Sequence, residues 1–256
     1  MLTIYDWFGY ELTEKERYQR IKEAGFDGVL MWWSDLLNRP DYRSAPQTAR
    51  EAGLFVENIH APFQIQAHLP LDNLDGEACL QCYLQCIADC AEFDIPTVVI
   101  HLPDDDEQPC NALMLDRVRE MGEKAERLGV HVALENVRNL RNLTSIMEQA
   151  DFPSIGFCYD CSHHYHYYPE VDFLAQYGSR MVALHLHDYI ESAHLLPFDG
   201  VIDWPTAMKR IEKAGYRGPT ALEPMTWGYE DVPIKTFLSN AFEKAKRLDA
   251  LRYSIV

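Results

Sequence analysis

The sequence predicts an α/β protein, a closed (β/α)8 TIM barrel in one domain spanning residues 1–256. Three observations predict it. Short apolar stretches without polar alternation take turns with longer stretches that carry one apolar face, and the pairs number eight. A parallel sheet covered by helices leaves that pattern, because each strand is buried on both faces. Gly25, Gly53, Gly129 and Gly215 each stand between a helix and the next strand, where a left-handed residue closes the helix. At 256 residues the chain matches the length of such barrels, and no linker or composition shift divides it. The competing arrangement is a doubly wound open sheet, but no Gly-x-Gly-x-x-Gly fingerprint follows the first strand.

In chain order, Leu2 to Tyr5 reads as the first strand. Thr13 caps the first helix, with Glu16 completing a capping box, and Ala24-Gly25 ends it. Phe26 to Trp32 is the second strand. A short helix from Thr48 to Ala52 closes at Gly53, and Leu54 to Ile59 is the third strand. A loop from His60 to Asp72 leads into a cysteine-bearing helix. Strand Thr97 to Ile100, a helix from Asn111 to Leu128 and the fifth strand from Val130 follow. The second half repeats the design with a helix over Leu143 to Ala150, strand Ser154 to Tyr159 and a shorter helix at Asp172 to Tyr177. Strand Met181 to Leu186, helix Asp203 to Ala214, strand Thr220 to Leu222 and a helix at Ile234 to Leu248 complete it, leaving an irregular tail to Val256.

Composition narrows the function. With 47% hydrophobic residues the chain can bury a sizeable core. No apolar run reaches the roughly 18 residues that span a bilayer, so no membrane partner is expected. The first residues carry no basic, long-apolar leader, and seven cysteines then suit a reducing cytosol better than a disulfide framework. Cys79, Cys82, Cys86 and Cys90 fall on one helical stripe with Leu80, Tyr83, Leu84 and Ile87, the pattern of small residues packing a helix on a sheet and not of a metal cluster. The net charge of −17 argues against nucleic acid, which asks for a basic footprint.

Polar residues gather where the strands end. Glu135 closes Val130-His131-Val132-Ala133-Leu134-Glu135, Asp160 closes Phe157-Cys158-Tyr159-Asp160, His185 closes Ala183-Leu184-His185, and Glu223 closes Thr220-Ala221-Leu222-Glu223. An unpaired buried charge costs several kcal/mol or is neutralised, so a core strand ending on a carboxylate needs a partner. In a barrel those ends share one mouth, the C-terminal face that holds active sites. Alternation puts Ala133 below Glu135, Cys158 below Asp160 and Ala221 below Glu223. Singly, each has a bland reading: a satisfied polar histidine, or a glutamate paired with arginine. Together, converging carboxylates repel without a cation. The four are read as ligands of one divalent ion, Mn²⁺, Mg²⁺, Co²⁺ or Zn²⁺, with no nucleotide cofactor. Trp32, His60 and His101 fall at the same mouth, and Trp7, Trp32, Trp33 and Trp227 are candidate walls for a sugar ring. The loop Met225-Thr226-Trp227-Gly228 and the helix start Asp203-Trp204 lack cations for a phosphate, although Arg138 and Arg141 follow the fifth strand.

The set resembles the xylose isomerase-like TIM-barrel superfamily, which includes sugar and sugar phosphate isomerases and epimerases and the endonuclease IV group. The matching pieces are His60-Ala61-Pro62, Ile100-His101, Leu134-Glu135-Asn136, Asp160-Cys161-Ser162-His163, His185-Leu186-His187-Asp188, His194 to Trp204 and Leu222-Glu223-Pro224, spread over nearly the whole chain. The resemblance implies Glu135, Asp160, His185 and Glu223 as metal ligands. His187 shares the strand face of His185, and the His-x-x-Asp spacing to Asp188 favours His185. It implies His163 as a substrate contact; His60, His101 and His194, with Trp32 and Trp227 from their places at the strand ends, are read around the substrate. It further implies Glu135 and Glu223 as an acid/base pair of an isomerase or epimerase, acting on a sugar, ketose or polyol-derived carbonyl compound through a metal-stabilised enediolate. An inosose dehydratase-type lyase is an alternative on the same site. So is an endonuclease IV-like phosphodiesterase, but Ser192 stands where that branch has a ligating Asp. The partners expected are a small sugar or polyol, with a homo-oligomer left open.

Overall fold

The computed structural model describes residues 1–35, 39, 41–191 and 194–253. Eight parallel strands form one sheet: β1 (Leu2–Tyr5), β2 (Gly28–Trp32), β3 (Phe55–His60), β4 (Thr97–Ile100), β5 (His131–Glu135), β6 (Ile155–Asp160), β7 (Met181–His185) and β8 (Thr220–Leu222). Each neighbours its predecessor, and β8 returns to β1. The remaining gap, β7 to β8, is closed by a single bridge, Leu186 to Leu222. Two hydrogen bonds hold it: Leu186 N donates to Ala221 O (2.9 Å) and Glu223 N to Leu186 O (3.0 Å).

The outer layer is α1 (Glu14–Ala24), α2 (Ala45–Glu51), α3 (Leu74–Glu92), α4 (Ala112–Leu128), α5 (Leu140–Gln149), α6 (Cys161–Tyr167), α7 (Phe173–Tyr177), α8 (Trp204–Lys213) and α9 (Ile234–Tyr253). Local chemistry sets their starts. Thr13 and Glu16 make the expected capping box on α1, and Asn111 caps α4 by accepting from Met114 N at 2.8 Å. All four glycines expected to close helices have positive φ. Gly25 has a second reason: at φ 111° a Cβ there would also meet the Phe242 ring at 2.6 Å.

Several elements differ from the sequence reading. α6 was not anticipated: Cys-Ser-His-His-Tyr-His-Tyr has weak helix formers and no apolar period. Asp160 starts it, accepting from His163 N at 2.7 Å. α9 continues past Leu248 to Tyr253 because buried Arg252 is anchored to Gly218 O (2.9 Å) and Glu212 Oε2 (3.2 Å). The end of the predicted tail, residues 254–256, lies outside the described residues. α2 and α5 each begin three residues early, α2 on the 3-10 turn Tyr42–Ser44 with Pro46 in its first turn, α5 on the Asn139 cap.

The main core lies between strands and helices. It includes Cys79, Cys86 and Cys90, so the cysteine stripe packs α3 as expected, and the seven cysteines are free. Inside the barrel the layers are thin. Val99, Ala133, Cys158 and Ala183 form one, and Tyr5, Leu30, Trp32, Ala221 and Met225 form another. Small residues below thus leave room for large polar ones above. No helix among the described residues is long and apolar enough to cross a membrane.

One interior residue is out of place for such a core. β2 and β3 slip register between Val29 and Leu30, so Glu57 is an extra residue in β3. Its Oε2 accepts from Thr3 Oγ1 at 2.5 Å, and its Oε1 has no protein partner. Burial pushes the carboxyl from 4.5 up to about 7. A folded-state pKa above the unfolded one means the native state binds the proton more tightly, so stability falls as pH rises from about 4.5 to about 7. Glu57→Gln removes this dependence: thermal denaturation should show wild type losing more stability than the variant between pH 5 and pH 8. Parallel losses would refute the assignment.

Candidate metal centre and active site

Strand ends deliver the side chains. Glu135, Asp160 and His185 are the last residues of β5, β6 and β7, and Glu223 follows β8 directly. Glu135, Asp160 and His185 are at most 1% exposed and Glu223 is 5% exposed. One donor atom from each of the four lies within 4.8 Å of the others. His185 Nδ1 sits 3.1 Å from Glu135 Oε2 and 3.3 Å from Glu223 Oε2. Yet neither ring nitrogen of His185 makes a hydrogen bond. Three donors at such spacings without mutual hydrogen bonds fit the edges of a coordination shell, where ligands about 2.1 Å from an ion stand about 3 Å apart. The residues present therefore fit a divalent ion.

Asn136 positions two of these strand ends. Its side chain donates from Nδ2 to Asp160 O and accepts from Asp160 N, both at 2.8 Å, clamping β5 to β6. Asp160 Oδ2 lies 3.0 Å from His187 Nε2. This geometry separates the two candidate histidines: His185 faces both glutamates, and His187 supports Asp160 from behind.

Histidines ring the centre. His101 Nε2 is 3.1 Å from Glu135 Oε2 and His60 Nε2 is 3.6 Å from it, with the two rings 3.2 Å apart at Nε2. His163 Nδ1 is 3.3 Å from Glu135 Oε1. His194 stacks on His187 with centroids 3.8 Å apart, and its Nδ1 lies 3.2 Å from Glu223 O. Among the described residues three further groups have metal-ligand spacing: His60 with His101 and Glu135, His163 with His187 and His194, and Cys158 with Glu135 and His185. The Ser192 position lies outside the described residues.

Charge follows from these contacts. Burial alone would raise Glu135, but His101 and His185 hold it well below 4.5. Burial likewise opposes ionisation of Glu223, and His185 outweighs it. Burial disfavours charge on His163, but Asp160 and Glu135 carry it up to about 10, while burial and His187 push His194 down to about 3.

A cavity of about 440 Å³ opens above the centre. Trp7, Trp32, Phe63, Tyr167, Met225 and Trp227 give it apolar walls, and His60, His101, His163 and His194 all reach it. Trp32 is buried and Trp227 is 48% exposed at the rim. Trp33 is not a wall: it leaves the barrel on the opposite side, donating from Nε1 to Asp89 Oδ2 (2.8 Å) on α3. Sequence reasoning passed over Phe63, Gln66 and Tyr167, which come from loops or the unanticipated α6 and carry no period.

Asp188 fixes the segment that carries His194. Its Oδ1 accepts from Tyr189 N (3.0 Å) and Ile202 N (3.1 Å), and its Oδ2 from Phe198 N (3.0 Å) and Trp204 Nε1 (2.8 Å). A Cβ on Gly200 would lie 2.2 Å from Asp188 Oδ1, so the carboxylate also dictates that glycine.

Residues 18–236 match the family described as xylose isomerase-like TIM barrel. The chain belongs to that family. Among curated proteins it is 24% identical to the 3-dehydroshikimate dehydratase of Pseudomonas putida, over 87% of this chain and 38% of that one. The chain spans less than two thirds of the length of the curated relatives it matches. Among solved structures, D-psicose 3-epimerase of Clostridium cellulolyticum H10 aligns at TM-score 0.76 and 17% identity, over 99% of both chains. An IolI protein with a bound zinc atom aligns at TM-score 0.77 and 13% identity, over all of both chains. At these identities the structures show a shared fold.

If the four strand-end residues hold an ion, saturating Mn²⁺ or Zn²⁺ should raise the melting temperature of chelator-treated protein. Binding at 100 times Kd contributes about 2.7 kcal/mol, a shift of roughly 5–10 °C at this size. Asp160→Asn should abolish most of the shift. A melting temperature indifferent to both ions would contradict the assignment.

Proposed function

We propose that this protein enolises a hydroxy-carbonyl compound of the sugar or polyol class, as a metal-dependent isomerase or epimerase. One observation carries the reading: Glu135 and Glu223 approach the same imidazole nitrogen from two strands, both ionised, at the floor of a cavity open to solvent. Paired carboxylates on either side of a bound carbon are what removal of a proton from one face and its return on the other require. Glu135, Asp160, His185 and Glu223 would hold the divalent ion, which when bound supplies a Lewis acid for the substrate carbonyl.

The remaining roles belong to the chain itself. Glu135 and Glu223 take and return the α-proton, one on each face of the substrate. His163, charged through Asp160 and Glu135, donates to the oxygen that gains negative charge. His101 and His60 hold a neighbouring hydroxyl, and His194 borders the Glu223 side. Trp32, Trp227 and the other aromatics face the C–H surface of the substrate and displace water from it. The D-psicose 3-epimerase neighbour supports a sugar substrate, and the zinc in the IolI neighbour supports a metal.

A second reading has its own support. The dehydratase relative matches 87% of the chain. Loss of a β-hydroxyl begins with the same α-proton removal, so one base suffices; the glutamate that has taken the proton can pass it to the departing hydroxyl, which leaves as water.

The test is exchange of the substrate α-proton with deuterated water over a panel of ketoses, inososes and hydroxypyruvate. Glu135→Gln and Glu223→Gln should each lower exchange by about 10²–10⁴-fold, the usual worth of general acid–base help, with metal content measured alongside. Exchange that survives in a metal-loaded variant removes that residue from the pair. Formation of an unsaturated product would select the dehydratase reading.

A further inference from the structure

We infer that the substrate carries a carboxylate at the end remote from its reacting carbon, and that Arg138 selects it. This rests on the enolisation reading and adds the substrate's charge to it. Among the described residues lining the cavity, Arg138 is the only lysine or arginine. It stands three residues past Glu135, beside Asp104 and Tyr167.

The guanidinium is positioned by hydrogen bonds to a main-chain oxygen, with one carboxylate, that of Asp104, at loose ion-pair distance. Nε and Nη2 lie 3.4 and 3.2 Å from the main-chain carbonyl of Asp104. The carboxylate of Asp104 makes its hydrogen bond to another group: Oδ1 accepts from Asn139 N at 3.0 Å, and Oδ2 pairs only loosely with Arg138, 3.9 Å from Nε. The carbonyl of Arg138 accepts from the Tyr168 hydroxyl, so the main chain is tied down as well. One edge of the fork thus rests on a neutral oxygen, and Nη1 has no partner among the described residues.

A planar fork with a free edge matches two oxygens of a carboxylate. A phosphate is a poorer match: the loop Met225-Thr226-Trp227-Gly228 adds no cation, and α8 opens on Asp203, whose own carboxylate accepts from Thr206 N. The net charge of −17 does not oppose this, because charges more than about 8 Å away are largely screened at physiological salt. The wall from β2 and the segment after β3 has a different character. Trp32 Nε1 is a buried donor without a partner, and Gln66 Oε1 is a buried acceptor without one. These suit neutral hydroxyls. The substrate is therefore oriented with hydroxyls toward Trp32 and Gln66, its carbonyl between Glu135 and Glu223, and its carboxylate at Arg138.

The experiment is calorimetric titration of the metal-loaded enzyme with two pairs of ketoses that differ only in a terminal carboxylate for a hydroxymethyl. The pairs are D-fructuronate with D-fructose, and D-tagaturonate with D-tagatose. At least one acid should bind roughly 10- to 100-fold tighter than its partner, the worth of a charged hydrogen-bond pair. Arg138→Gln should bring the two within about twofold, Arg138→Lys should keep part of the preference, and Arg141→Gln, outside the cavity lining, should leave it unchanged. Absence of a preference in wild type, including failure to bind either acid, overturns the inference. So does a preference that persists in Arg138→Gln. α-Proton exchange on the neutral ketoses in the same samples reports separately on enolisation, so either conclusion can fail while the other stands.

Discussion

Carboxylates from three strands meet at one mouth of the barrel, buried from water and close enough to repel. Everything else in the upper half of the molecule follows from making that tolerable. Glu135 faces His101, His163 and His185; Asp160 faces His163 and His187; Glu223 faces His185 and His194. Acidic and imidazole groups alternate around the ring, so each negative charge has an imidazole next to it. The thin interior layer of Val99, Ala133, Cys158 and Ala183 is the steric side of the same constraint, because bulky residues there would lift the polar groups out of register.

Around that ring a second set of contacts fixes geometry without touching the cavity floor. Asn136 ties two strand ends together through paired main-chain bonds. Asp188 holds Phe198, Ile202 and Trp204 through its carboxylate and Leu195, next to His194, through its main chain. Asp6, buried after β1, accepts from Trp32 N and from the Arg39 guanidinium, which holds the end of β2 and with it one aromatic wall. Precise ligand placement depends on such outer partners as much as on the ligands.

Much of this was legible in the order of residues. β1, β4 and β8 have the boundaries that apolar runs predict, and the Thr13–Glu16 box starts α1. The strand-end pattern was legible because period-2 alternation fixes which side chains face inward, and a carboxylate at an inward position has few explanations. Trp33, read as a wall beside Trp32, is the exception: the same alternation turns it outward, to Asp89 on α3. What was not legible depends on tertiary contact. α6 exists because Asp160 caps it, against the preferences of its own residues. The cavity walls contributed by Phe63, Gln66 and Tyr167 come from segments whose positions are set by packing. His185 and His187 share a strand face in the sequence pattern, and tertiary contacts tell them apart: His185 meets both glutamates, and His187 meets Asp160.

The seam between β7 and β8 has a mechanical consequence. A cylinder closed by one bridge yields first along that line, and His185 and Glu223 stand on its two sides. Strain at the mouth, from a bulky occupant or from heat, is therefore taken up where two of the converging groups meet. An ion held by both His185 and Glu223 would tie the two lips of that seam together across the one place where the strand ladder is thinnest.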